Sequence, residues 1–402
     1  MAKLALAGGT KLKTGNFPSW PYSDENEISQ LLEVLESGLW GTLGPKTAEF
    51  EKIFAEYLDV SNVQTVANGT VSLEIILRAL GIGRGDEVII PPYTFVATAT
   101  AVMMVNATPV FADVDPETNC IDPNNAESKI TEKTKAIIPV HVAGFPADMD
   151  SLTELAKKYN LALIEDAAQA PGSEWKGKRL GSIGTAGSFS FQLSKNMSSG
   201  EGGAISTNDK DLADRIWSIH HVGRKKEAPW YEHFYLSSNF RMTDWQAGVL
   251  LAQLSRLDKH NEIREKNAAL LNSLLKEIPG IEIFSRDPRA TKITWHLYMF
   301  RYNIGFFKGL SKNRFVEALI EEGIPASTGY KPLNKQPIFQ HKDVQWLFPE
   351  GNPMNDLKLP GLDAACKKTV WIMQYALLGT EEDIVEIAEA IKKIQQNVDE
   401  IL

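Results

Sequence analysis

The sequence predicts an α/β fold, with a large domain on a mostly parallel sheet flanked by helices and a smaller α+β domain after it. Short β-branched runs alternate with helical patterns over roughly the first 210 residues, and this alternation is typical of parallel sheets covered by helices. The alternation then stops, and prolines punctuate an irregular stretch from Pro325 to Pro360. We expect an N-terminal arm and the large domain over residues 1–254, and a linking helix and the small domain over 255–402.

The elements of the large domain follow from the spacing of apolar residues. Near-continuous apolar runs predict strands that are buried on both faces. These strands are expected at 63–67, 87–90, 109–113, 136–142, 162–165, 187–191 and 204–206. Helical patterns between them cover 71–80, 95–105 and 149–159.

The second half of the chain follows a different pattern. A proline-free segment predicts one long helix over 243–275, and two apolar runs predict strands at 281–284 and 295–302. Further helices are expected at 312–322, 363–371 and 381–395.

Composition and charge exclude several classes of function. The formal net charge of −9 argues against nucleic acid as a partner, because phosphate binding needs a basic face. No run of 18 apolar residues is present, which argues against a membrane span. The first nine residues lack the apolar core of a signal peptide, so we expect a cytoplasmic protein. Two isolated cysteines and seven histidines without ligand spacing give no support for a metal site.

Two charged residues stand in settings that suggest chemistry. Asp166 ends an apolar run, which predicts a carboxylate at the carboxyl end of a parallel strand, where α/β sheets bind ligands. Lys195 follows 29 residues later, between a Ser-Phe-Ser-Phe strand and a glycine-rich stretch at 200–203. A partly desolvated lysine there could act as a Schiff-base amine. Taken singly, Asp166 is better explained as a helix cap and Lys195 as a surface lysine.

Two further segments carry features of a binding site. Asn68, Gly69 and Thr70 join a strand to a helix, and free amides at a helix start can bind a phosphate. The ordinary alternative is a strand-to-helix turn with Thr70 as its cap. Asn239, by itself, is a loop residue before a helix.

Together these segments resemble the DegT/StrS-type sugar aminotransferases, a family of fold type I pyridoxal-phosphate enzymes. The resemblance covers nearly the whole chain, and the segment at 17–21 is closest to the cyclitol and aminohydroxybenzoate branch. The matching blocks arrive in the family's order: Asn-Gly-Thr at 68–70, Pro-Tyr-Thr-Phe at 92–95, Pro-Val-His at 139–141, Glu-Asp-Ala-Ala-Gln at 165–169, Ser-Phe-Gln at 190–192 with Lys195, Gly-Glu-Gly-Gly at 200–203, Asn-Phe-Arg-Met at 239–242 and Tyr-Lys-Pro-Leu at 330–333.

The resemblance implies a role for each matching residue. Lys195 would hold pyridoxal 5'-phosphate as a Schiff base, and Asp166 would bond its pyridine nitrogen. The phosphate would be held by Gly69, Thr70 and Ser190, with Asn239 reaching it from the partner subunit of a homodimer. The remaining implied contacts are Phe95 stacked on the ring, Gln169 beside the ring, and His296, Tyr298 and Tyr330 toward the substrate. From the residues alone, His296 is equally well explained as a hydrogen-bonded strand histidine.

The resemblance also implies the reaction, in which an amino group passes from glutamate or glutamine to a keto-sugar, keto-cyclitol or related polyol carbonyl. Two alternatives stay open. The first is a dehydratase or aromatising synthase of the aminohydroxybenzoate type, which uses the same lysine. The deoxysugar dehydratases of the family carry a histidine in place of Lys195, which disfavours that branch. The second is a non-catalytic regulator on this scaffold, against which Lys195, Asp166 and Gln169 all count.

Overall fold

The computed structural model describes residues 3–41, 44–348, 351, 354 and 356–402. The prolines at positions 349 and 353 of the irregular stretch lie outside these residues. The strands of the described part are β1 Asn62–Val66, β2 Glu87–Ile90, β3 Thr108–Phe111, β4 Thr134–Ile137, β5 Ala162–Asp166, β6 Glu174–Trp175, β7 Lys178–Arg179, β8 Ala186–Ser190, β9 Gly203–Thr207, β10 Ile281–Ile283, β11 Ala290–Lys292, β12 Leu297–Tyr302, β13 Ala326–Ser327 and β14 Thr369–Met373.

Helices cover both halves of the chain, including two near the N-terminus that the predicted elements omit. The α-helices of the described part are α1 Glu25–Ser37, α2 Pro45–Leu58, α3 Gly69–Ala79, α4 Ala97–Met104, α5 Pro123–Glu127, α6 Met149–Tyr159, α7 Lys210–His220, α8 Asp244–Leu275, α9 Lys312–Glu321, α10 Pro360–Lys368 and α11 Glu381–Gln396. The predicted domain boundary falls between residues 254 and 255, and both residues lie within the unbroken helix α8. The division into two domains at this point stays a prediction.

The main sheet has the strand order β1-β9-β8-β5-β4-β2-β3. Its centre is parallel, from β3 through β2, β4 and β5 to β8. Strand β9 is antiparallel to both β1 and β8. The predicted fold class, a mostly parallel sheet flanked by helices, is confirmed.

A second, antiparallel sheet has the order β10-β12-β14-β13 and belongs to the smaller part of the fold. Here the prediction of a helix over 363–371 is wrong in part. Helix α10 ends at Lys368, and the apolar run from Thr369 to Met373 is strand β14. A short apolar run does not distinguish a buried strand from a helix, and the pairing of β14 with β12 decides the outcome.

Apolar side chains form one large core between the main sheet and this antiparallel sheet, and two further clusters pack elsewhere against the main sheet. Among the described residues, no helix is both long and apolar enough to cross a membrane. The cytoplasmic location stays a prediction.

Candidate active site

Three strand ends meet at one edge of the main sheet. Strands β1, β5 and β8 run in the same direction, because β9 is antiparallel to β1 and to β8, while β5 is parallel to β8. Gly203, at the start of β9, pairs with Val66 on one side and Ser190 on the other. The carboxyl ends of these strands therefore lie side by side, which is where ligands bind in α/β sheets.

Asp166 is the last residue of β5, and its side chain is buried at this edge. Its carboxylate accepts a hydrogen bond from the Thr98 hydroxyl at 3.0 Å and a longer one from the Ala168 amide at 3.3 Å. Burial raises the pKa of Asp166, while the Thr98 bond and the positive charge of Lys195 oppose that rise. Asp166 is thus a buried carboxylate that accepts few hydrogen bonds from its own chain.

Lys195 lies in a turn after β8, where its amide donates to the carbonyl of Gln192 at 2.9 Å. Its side chain is partly buried. Burial lowers the pKa of Lys195 to about 8, although the charge of Asp166 acts in the opposite direction. A larger fraction of its amine is therefore uncharged near neutral pH than for an ordinary lysine, whose pKa is about 10.4.

The start of α3 forms a cradle for an anion beside these two residues. Asn68 caps the helix by accepting a hydrogen bond from the Val71 amide at 3.0 Å. The amides of Gly69 and Thr70 belong to the first turn, which has no acceptors within the helix. A Cβ atom on Gly69 would lie 2.7 Å from the Cβ of Ser190, so only glycine permits this approach. The start of α3 and Ser190 are therefore in direct contact.

Gln169 connects this edge to the second half of the chain. Its side chain is buried, accepts from the Ala143 amide at 2.7 Å and donates to the Tyr330 hydroxyl at 2.9 Å. Burial raises the pKa of Tyr330, so its phenol stays protonated at neutral pH. Tyr330 packs edge-on against Tyr93 and Trp371, with ring centroids 5.4 Å and 4.6 Å away.

Of two further predicted site residues, His296 is buried and Phe95 is exposed. His296 is buried and contacts the Asn196 side-chain oxygen through Nδ1 at 3.1 Å. Burial, and after it the charge of Lys195, hold the pKa of His296 well below its usual value. His296 therefore lies close to Lys195. It also has the hydrogen bond expected of an ordinary buried histidine next to a strand. Phe95, just before α4, is 58% exposed, as a side chain that faces an open site would be.

Two of the predicted site residues, Tyr298 and Asn239, make no described contact with Asp166, Lys195 or Gln169. Tyr298 is fully buried in the core, where its hydroxyl donates to the Asn272 side chain at 2.6 Å. We therefore leave Tyr298 out of the candidate site. Asn239 is exposed on the segment before α8, where it forms a bridge with His221, so it is free to contact another molecule.

Sequence reasoning missed Thr98, which is the hydroxyl partner of Asp166, and Asn196, which holds His296. Thr98 lies on α4 and Asn196 directly follows Lys195. The Pro-Tyr-Thr-Phe block was an available signal for the first, since it opens the helix that carries Thr98. A polar residue beside Lys195 was the only signal for the second.

Comparison with known proteins decides the family. The model of the DegT/DnrJ/EryC1/StrS aminotransferase family matches residues 21–392. The chain belongs to this family. The predictions of the family and of an aminotransferase are thereby confirmed.

Two relatives with assigned names cover nearly the whole chain. A Streptoalloteichus tenebrarius protein described as an L-glutamine:3-amino-2,3-dideoxy-scyllo-inosose aminotransferase is 39% identical, covering 99% of each chain. The L-glutamine:2-deoxy-scyllo-inosose aminotransferase of Streptomyces kanamyceticus is 37% identical, covering 98% of this chain and 97% of the relative.

Solved structures agree. The 3-amino-5-hydroxybenzoic acid synthase is 34% identical with a TM-score of 0.87, covering 95% of this chain and 99% of the synthase. A Streptococcus pneumoniae protein described as a sugar aminotransferase, solved in its PLP form, is 28% identical with a TM-score of 0.82, covering 96% of this chain and all of that one. The prediction of pyridoxal phosphate as the cofactor of this family is confirmed.

The residues at the sheet edge fit this cofactor. A phosphate needs hydrogen-bond donors, and the free amides at the start of α3 lie so close to Ser190 that a Cβ on Gly69 would clash with that residue. A buried carboxylate keeps a pyridine nitrogen protonated, and the Asp166 carboxylate, which accepts two described hydrogen bonds, can accept another. The aldehyde needs an amine of low pKa, which is Lys195.

Proposed function

We propose that this aminotransferase moves an amino group from glutamine to a keto-cyclitol, using Lys195 and Asp166 as the residues that hold and activate pyridoxal phosphate. The observation that carries the proposal is the joint placement of a buried carboxylate, a lysine with a pKa of about 8 and an anion cradle at one sheet edge. Few purely structural arrangements bring these three groups together, since perturbed groups of this kind gather at functional sites.

Each residue then has a defined task. Asp166 would hold a proton on the ring nitrogen, and the amides of Gly69 and Thr70 with the Ser190 hydroxyl would bind the phosphate. The bound cofactor supplies an acceptor for the electrons released when the donor loses its Cα proton. The Lys195 amine would take that proton and deliver it to the C4′ carbon of the cofactor, a transfer that contributes about 10²–10⁴-fold. Gln169 and Tyr330 would border the site opposite the sheet.

The substrate assignment is supported by the named relatives. Both act, by their names, on inosose cyclitols with glutamine as donor, and both cover nearly the whole chain at 37–39% identity. 2-Deoxy-scyllo-inosose is a neutral polyol ketone, and its hydroxyls can be recognised by hydrogen-bonding groups such as the Tyr330 phenol and the Gln169 amide. An aromatising synthase stays the second candidate, because the structure of 3-amino-5-hydroxybenzoic acid synthase is so similar.

We also propose that the enzyme is a homodimer with shared sites. Asn239 is exposed on its own chain, and the resemblance to the family places it at a partner's phosphate. An exposed apolar row along and just after α1 offers a surface that a second copy would cover, since large apolar patches mark interfaces. This row consists of Ile28, Leu32, Leu35 and Leu39.

Two experiments test the proposal. Borohydride reduction of the purified protein should fix pyridoxal phosphate to Lys195, and peptide mapping that finds the adduct on another lysine contradicts the site. A screen of carbonyl acceptors should then follow nitrogen from labelled glutamine. Labelled amine on 2-deoxy-scyllo-inosose supports the proposed substrate, whereas water loss from an amino-dehydroquinate type substrate without net nitrogen transfer supports the synthase.

A further inference from the structure

A segment near the N-terminus lies along one face of helix α8 and ends at the loop of Lys195. We call residues 20–24 the N-terminal strap. Along α8 the strap meets side chains spaced three, four and four residues apart, which places them on one helix face. These side chains are Gln253, Arg256, His260 and Arg264.

The strap contacts α8 through Asp24, Tyr22 and Trp20. Asp24 accepts from Arg256 at 2.8 Å, and the Tyr22 carbonyl accepts from Gln253 at 2.7 Å. His260 packs edge-on against both Tyr22 and Trp20, with ring centroids 5.6 Å and 6.4 Å away. The strap is thus fixed over its whole length before it reaches the site.

At its end the strap holds the loop of the catalytic lysine. The Trp20 indole Nε1 donates to the carbonyl of Leu193 at 3.0 Å, two residues before Lys195. On the opposite side, the side-chain Nδ2 of Asn196 donates to the carbonyl of Thr294 at 2.7 Å. Lys195 therefore lies between two anchors that come from distant parts of the chain.

The Trp20 ring covers the positive charge of Arg264. The Arg264 guanidinium is fully buried and lies 5.3 Å from the Trp20 ring centroid. It donates to the side-chain oxygens of Gln374 and Asn261, and in the described part of the chain no carboxylate pairs with it within 4 Å. A buried cation with only neutral acceptors gains from an aromatic face, so Arg264 holds the Trp20 ring in place.

We propose that Trp20 is a positioning residue, which fixes the Lys195 loop through the Leu193 carbonyl so that the amine keeps one place at the cofactor. This inference rests on the proposed function, because it concerns the same lysine. The Leu193 side chain is 50% exposed and gives the loop little packing of its own. Residues 196–198 stay anchored by Asn196 and by the buried Met197, but without the indole bond the described contacts leave Leu193 held only by backbone bonds within the loop itself.

The test is Trp20→Phe, which removes the indole donor and keeps a smaller aromatic ring over Arg264. Loss of one hydrogen bond should raise amide hydrogen exchange at residues 193–195 by about tenfold, measured on the protein without substrate. The single-turnover rate with glutamine, followed by cofactor absorbance, should fall about three- to tenfold, because small misplacements of reacting groups slow the step. The dissociation constants of pyridoxal phosphate and of glutamine should stay within twofold.

The matched control is Trp346→Phe. The Trp346 indole also donates to a backbone carbonyl, that of Asp343 at 2.9 Å, and it lies outside the site. We expect wild-type exchange and turnover in this control. Trp20→Tyr also lacks the indole donor and replaces Trp20→Phe in the comparison if the latter does not fold.

Wild-type exchange at 193–195 together with wild-type turnover overturns the inference. A slower turnover with unchanged exchange overturns it too, because the loop would then be held without Trp20. If the wild-type protein binds no pyridoxal phosphate, the proposed function fails, whereas a cofactor-loaded protein that is insensitive to Trp20→Phe defeats this inference alone.

Discussion

At the scale of single residues, the site depends on two groups whose burial changes their chemistry in opposite ways. Burial favours the neutral amine of Lys195 and the neutral acid of Asp166, yet each residue's charge favours the charged form of the other. The pKa of Lys195, about 8, lies close enough to neutral pH for its amine to accept and release a proton at little cost.

The first prediction follows from the Lys195 pKa. An amine attacks an aldehyde only when it is uncharged, and in the cofactor-free chain half of the Lys195 amines are uncharged near pH 8. The rate at which the apoprotein captures pyridoxal phosphate should therefore rise with pH through about 8 and then level off. Stopped-flow absorbance measures it. A rate that still climbs at the pH where an ordinary lysine titrates, about 10.4, contradicts the lowered pKa.

The second prediction concerns Asp166→Asn, which keeps the shape of the side chain and removes its charge. The ring nitrogen of the cofactor would lose the anion that keeps it protonated, so electrons from the donor would be accepted less readily. We expect turnover to fall by about 10²-fold or more, or roughly 2.7 kcal/mol of barrier. Absorbance of the purified variant checks that cofactor is still bound, and near-normal turnover in the loaded variant shows that another group does this work.

At the scale of elements, the phosphate cradle exists because two elements approach without a side chain between them. The start of α3 and the end of β8 are neighbours through Gly203, which pairs with Val66 and Ser190 at once. Local sequence indicates a helix start at Gly69, but only the strand order shows that Ser190 faces it.

The third prediction is Gly69→Ala. Its new Cβ would lie 2.7 Å from the Cβ of Ser190, so α3 or β8 must shift, and such overpacking costs about 1–3 kcal/mol. We expect the affinity for pyridoxal phosphate to fall roughly tenfold, since a tenfold change equals 1.4 kcal/mol. The control is Gly83→Ala, whose Cβ would meet the Val105 carbonyl at an ordinary 3.5 Å. Equal affinities for both variants would place the phosphate elsewhere.

At the scale of the whole molecule, the open question is how much of each site a second chain supplies. Asn239 is exposed on its own chain, and the candidate phosphate donors found among the described residues lie at the start of α3 and the end of β8. A two-fold interface over this edge would exclude water from the phosphate end, which strengthens its hydrogen bonds.

The fourth prediction uses mixed dimers of Lys195→Ala and Asn239→Ala chains. If Asn239 acts on the partner's site, each hybrid contains one site with both lesions and one site with neither. Activity should then return in part after mixing. Asn239→Ala must first be shown to be severely impaired alone. Verified hybrids that recover no activity, or an active species that sediments as a monomer, contradict the shared site.

The sequence by itself determined the fold class, the family and the residues with local signatures. Asp166 at a strand end, Lys195 after a strand and Gly69 at a helix start were all predictable, because strand ends and helix starts leave patterns a few residues long. The wrong helix at 369–371 marks the limit of such patterns, because a short apolar run fits a helix or a buried strand equally well.

Only the tertiary structure decided which side chains meet. Tyr298 bonds to Asn272 in the core rather than facing the site. Trp20 reaches the Leu193 carbonyl, although 173 residues separate them. Such contacts depend on strand order and on how α8 packs, and no local pattern records them. The sequence therefore determined what chemistry this chain carries, and the packing of distant elements determined which residues hold that chemistry in place.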